Sequence, residues 1–184
     1  MTEDPDRAAL RARQGTGARY DAETAPHDDL LLARRGTAYF ARRLNDLRDE
    51  ELSAPSRVPG WSRRHLIARI CLDARAMALS LKALREPLVP DEVDWTPDHA
   101  LTATLPARAL RHLFDHSAKH LDVEWRDLPA PCWDRAAPSS SVGPAPWETP
   151  GLRARALWQG ALDLGNGARE RDVPIGMLGP RSSI

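Results

Sequence analysis

Three polar residues four apart, His65, Arg69 and Asp73, would share one face of a helix. Together they offer a general base, a clamp for an anion and a carboxylate to orient either. The plainer reading of this spacing is an Arg69–Asp73 ion pair within one helix, beside a first-turn histidine, and it carries more weight. A second polar run, His112, His116, His120 and Glu124, repeats the same step. It resembles a comb of metal ligands, but one straight helix cannot wrap an ion with more than two of them. The run lies roughly opposite Leu110, Phe114 and Leu121, so a solvated face is expected. The cysteines are Cys71 and Cys132 alone. Without ligand spacing they indicate reduced thiols rather than a disulfide or zinc. Cys71, two residues from Arg69, points off the Arg69 face and reads as a buried inert thiol. Cys132 reads as exposed or half-buried.

These residues need elements to hold them. Residues 1–26 are charged and poor in large apolar side chains, and read as a mobile arm. From His27, Leu30, Leu31, Tyr39, Phe40, Leu44 and Leu47 recur at helical steps, with Asp28 or Asp29 as N-cap. Val58-Pro59-Gly60 is a turn. A second helix is expected from Ser62 as N-cap to about Leu84, closed by Glu86-Pro87. Residues 87–105 form a connection rich in Pro and Asp. A third helix starts near Pro106 and reaches Trp125 or Leu128. Residues 129–146 hold five prolines and Ser139-Ser140-Ser141, a long crossover. A fourth helix spans about Thr149–Leu164, ended by Gly165-Asn166-Gly167. The expected fold is all-α, a four-helix bundle over 27–171 with long crossovers and a tail at 172–184.

The 184 residues carry a formal net charge of zero. One domain with a full core fits that length. Neutrality leaves no electrostatic footprint for nucleic acid or an acidic membrane. With no long apolar run and no hydrophobic N-terminal stretch, the expected location is the cytoplasm. Lysine occurs only at Lys82 and Lys119 while arginine and alanine abound, which hints at a GC-rich, actinobacterial genome.

Two segments carry a family signature. One reads Val58-Pro59-Gly60-Trp61-Ser62-Arg63-Arg64-His65-Leu66-Ile67-Ala68-Arg69-Ile70, the other Arg153-Ala154-Arg155-Ala156-Leu157-Trp158-Gln159-Gly160-Ala161-Leu162-Asp163-Leu164-Gly165. Together they resemble the mycothiol-dependent maleylpyruvate isomerase family, whose fold is a DinB-like four-helix bundle. In that family the first segment reads roughly P-G-W-T-x-G-H-V-x-x-H and the second R-x-R-E-x-x-x-H-x-x-D-L-G. The resemblance implies a divalent metal held by the second His of the first segment and by the Glu and His of the second. Here those positions are Arg69, Ala156 and Gly160. No catalytic residue and no metal ligand is assigned on this reading. Mycothiol is the thiol cofactor the resemblance implies.

Two readings follow. In one, Arg69 places a fixed cation roughly where the metal sat, and Ala156 with Gly160 clears room for a small anion. Trp61, His65, Arg69, Asp73, Ala156, Trp158 and Gly160 then line a ligand pocket, with Trp61 or Trp158 as its walls. Metal-free, thiol-dependent isomerisation or S-transfer is the chemistry it would carry. In the other, which weighs about twice as much, the chain is a degenerate paralogue that binds a ligand or forms a homodimer. Trp125, Trp133 and Trp147 read as core and lid packing.

Overall fold

The computed structural model describes residues 20–134 and 144–178. Four long helices make the bundle: α1 (His27–Asn45), α2 (Arg63–Lys82), α3 (Ala107–Asp127) and α4 (Thr149–Asp163). No strand occurs among the described residues. α1 packs along α4, α2 packs along α3, and α2 also meets α4. The connection between α2 and α3 is less featureless than its prolines suggest. It folds into short helices at Pro90–Val93 and His99–Ala103, and the second lies against α2. The crossover before α4 likewise holds a short helix at Ala130–Trp133.

The cap of α2 matches its sequence. Ser62 is extended, and its Oγ accepts the His65 backbone N–H, satisfying one of the helix's free amides. Before it, Gly60 takes φ 76° to turn the chain, and Ser56 N–H donates to Trp61 O at 2.8 Å. α1 differs from expectation: Pro26 stands at its N-cap, without any side-chain cap, so Asp28 and Asp29 act only as first-turn anions favoured by the helix dipole. Gly165, at φ 67°, stops α4 in a conformation that costs glycine nothing.

The core divides into two apolar clusters along the bundle. One gathers Phe40, Leu44, Leu66, Ile67, Ile70, Leu110, Phe114, Leu157 and Ala161. The other gathers Leu30, Ala33, Ala74, Leu81, Leu121, Trp125, Trp133, Ala154 and Trp158. Polar side chains lie where they meet. Ser117 on α3 and Arg153 on α4 are both buried there, and Cys71 on α2 is fully buried beside them.

Four side chains depart from their expected places. Glu124 is buried and ion-paired with Arg85, with His120 Nε2 3.5 Å away, so the end of the histidine run is a buried charge cluster. Only His112 and His116 are exposed, beside Leu105, Ala109 and Leu113 in an apolar groove of α3. Cys132 is buried, because the short helix that holds it packs into the second cluster. Trp147 is 54 % exposed and joins neither cluster.

Candidate functional site

Arg69, Trp61 and Asp73 come together on one face of α2. The Arg69 guanidinium lies 5.6 Å from the centroid of the Trp61 ring, within range of a cation–π contact. Its Nε donates to Asp73 Oδ2 at 3.4 Å, a long bond one helical turn away. Among the described residues no other hydrogen bond holds Arg69, and its side chain is 57 % exposed. The Nη groups therefore face water over an aromatic wall. His65 is exposed on the same face, its Nδ1 2.8 Å from Ser62 Oγ, so the capping serine also fixes the imidazole.

The α4 residues occupy other positions. Ala156 is half-buried. Gly160 is buried, and a Cβ added there would overlap Ile70 Cδ1 and meet Phe40 Cε2 at 3.3 Å. Ile70, not Arg69, fills the space that the loss of a side chain at Gly160 was expected to clear. The cause is helical geometry: neighbours on α2 point about 100° apart, and the one facing α4 is apolar. Trp158 belongs to the seam between α1 and α4. Its Nε1 donates to Leu32 O at 3.2 Å, and its ring stacks on Tyr39 at 5.0 Å. Arg69 thus stands at the surface with Trp61 as its wall, rather than at the bottom of a cleft.

Sequence reasoning missed two residues that pack against α2. His99, from the short helix after α2, places Nε2 3.8 Å from Asp73 Oδ1. Nothing in the Pro- and Asp-rich connection marked it. Arg153 is 1 % exposed, and its Nη1 donates to Ile70 O at 2.6 Å. Its Nη2 is buried with no hydrogen-bond partner among the described residues. Burial pulls its pKa down to about 10, offset in part by Cys71 and by Asp73. The signal for it was available: an arginine stands one turn before Leu157 on an otherwise small and apolar stripe. Burial also pushes the Cys71 thiol up to about 12, against the Arg153 charge and a hydrogen bond with Ser117. It is a neutral, inert thiol at physiological pH.

A divalent ion does not suit the residues present. Arg69 brings positive charge, Ala156 brings no lone pair, and the Gly160 position is packed by Ile70. Among the described residues no three His, Cys, Asp or Glu side chains group to hold a metal.

The sequence profile of the mycothiol maleylpyruvate isomerase N-terminal domain matches residues 33–165. Two crystal structures are similar to the chain, a mycothiol-dependent maleylpyruvate isomerase and a mutant of it with a histidine replaced by alanine. Each is 31 % identical with a TM-score of 0.69, and covers 80 % of this chain. This chain spans 64 % of their length. No curated protein matches it.

Proposed function

Starting from the fact that this chain belongs to the mycothiol maleylpyruvate isomerase N-terminal domain family, we propose that it has lost the family's metal and binds a small anionic molecule through Arg69. The observation that carries this is the state of Arg69: a permanent cation over Trp61, held by one long bond, with its remaining donors open to solvent. A guanidinium in that state can take a carboxylate by paired, charge-assisted hydrogen bonds. Trp61 supplies an apolar surface for the ligand's carbon skeleton, and His65 stands one turn away. Loss of the metal rests on the residue types at Arg69, Ala156 and Gly160 and on Ile70 filling the Gly160 position.

The enzymatic form of this reading is thiol-dependent isomerisation or S-transfer without a metal, with mycothiol as the thiol. The solved isomerases named above work with mycothiol, and that property comes to this chain only as part of the proposal. The closed packing at Ile70–Gly160 favours a second reading, a non-catalytic paralogue that keeps only the binding step. Titration calorimetry of the chain with succinate and acetate, with and without mycothiol, tests the binding claim. Saturable binding near one per chain is expected, and heats no larger than dilution would end it. Loss of the maleylpyruvate absorbance in the presence of mycothiol and the metal-free protein then separates enzyme from binder. Elemental analysis after mild purification is expected to find well under one divalent ion per chain.

A further inference from the structure

Asp73 meets nitrogens from two elements and holds neither closely. From its own helix it takes Arg69 Nε at 3.4 Å. From the short His99–Ala103 helix, His99 Nε2 comes to 3.8 Å of its other oxygen, too far for a hydrogen bond, and that nitrogen is buried without a partner. From α4, the buried Arg153 is bonded to Ile70 O rather than to Asp73. Native interiors leave few polar atoms unmet, because each costs free energy. Here one of them, His99 Nε2, borders the Asp73 carboxylate.

We infer that Asp73 is the built-in occupant of the Arg69 anion site: an incoming carboxylate takes over Arg69, and the released Asp73 turns inward to His99. The inference rests on the proposed anion binding and adds how the site is held when empty. The ligand class it selects is a small molecule with a carboxylate end, because that end must reproduce what Asp73 offers Arg69. His99 is a positioning residue, since it acts on the ligand through Asp73. One side chain then has two alternative sets of partners. Outward it meets Arg69 at a long distance, and inward it meets the His99 nitrogen, which lacks a hydrogen-bond partner among the described residues.

Asp73→Asn tests this directly, with succinate and acetate as probes. The side chain keeps its shape and loses the charge that competes for Arg69. Removing a half-exposed ion pair should tighten succinate binding roughly two- to fivefold. Asp91→Asn, on an exposed residue of the α2–α3 connection, makes the same change of net charge and should leave affinity unchanged. Asp73→Ala serves as a second variant and should also bind more tightly. The inward turn has its own reading: the His99 ring nitrogens, assigned with His99→Gln, should shift in NMR spectra when wild type is saturated with succinate. They should stay still in Asp73→Asn. Asp73 variants that bind succinate no better than wild type would overturn the inference while leaving the anion site standing. So would an unmoved His99 in saturated wild type. Binding by Asp73→Asn alone would support it, showing that Asp73 holds the site shut. No binding by either protein would end both this inference and the reading beneath it.

Discussion

Arg69 and Arg153 are the same residue type on neighbouring helices, and their surroundings are opposite. Arg69 is more than half exposed, rests on an aromatic ring and has Asp73 within one turn. Arg153 is sealed between the two apolar clusters, bonded to a backbone carbonyl, with no carboxylate in contact and one nitrogen unmet. A surface guanidinium costs little to keep, and its pair adds about 0–1 kcal/mol. A buried one without a close counter-charge costs several kcal/mol. The outer cation is available for a ligand, whereas the inner one is retained against stability.

The sharpest way to break the comparison is Arg153→Met. If the buried charge is a burden, the variant should gain about 1–4 kcal/mol in urea unfolding. A loss of that size would mean the guanidinium is a structural tie, and the contrast with Arg69 would collapse. Next comes Gly160→His, which restores a family ligand type. Its Cβ meets Ile70, so stability should fall by about 1–3 kcal/mol, and a further Ile70→Ala change should recover part of it. No penalty at Gly160 would mean the interior still has room for a ligand side chain.

The interior also has a titration signature. The folded-state pKa of Cys71, about 12, lies above its ordinary 9.0, since burial disfavours the thiolate. Its contribution is therefore full below pH 9 and declines as pH rises from 9 toward 12. Melting temperatures across pH 8–10.5 should fall more steeply in wild type than in Cys71→Ala. Equal slopes would mean the thiol is not desolvated. The smallest effect is expected at the surface: Arg69→Met should change stability by no more than about 1 kcal/mol.

What could be read from the sequence follows from how local each feature is. The α2 start was legible because Pro59-Gly60-Trp61-Ser62 encodes a turn and a cap within four residues. The Arg69–Asp73 pair was legible because i and i+4 are neighbours on any helix. The burial of Glu124 was not, since it depends on Arg85 arriving from the end of α2. The contact of His99 with Asp73 was not, because it depends on how a proline-rich connection folds back over α2. The position of Gly160 was misjudged by one residue across the helix pair: the family spacing placed Arg69 opposite it, and the fold places Ile70 there. Trp158 stands between Ala156 and Gly160 in sequence, yet lies in the seam with α1, where it meets Tyr39.

The central claim is that Arg69 binds an anion in place of a metal. Calorimetric titration of succinate into wild type and Arg69→Met tests it most directly, with both proteins shown to be folded by matching melting curves. The account predicts saturable binding to wild type and a loss of at least about tenfold in the variant, the scale of a charge-assisted hydrogen bond to a guanidinium. Unchanged affinity in a folded Arg69→Met protein would contradict it.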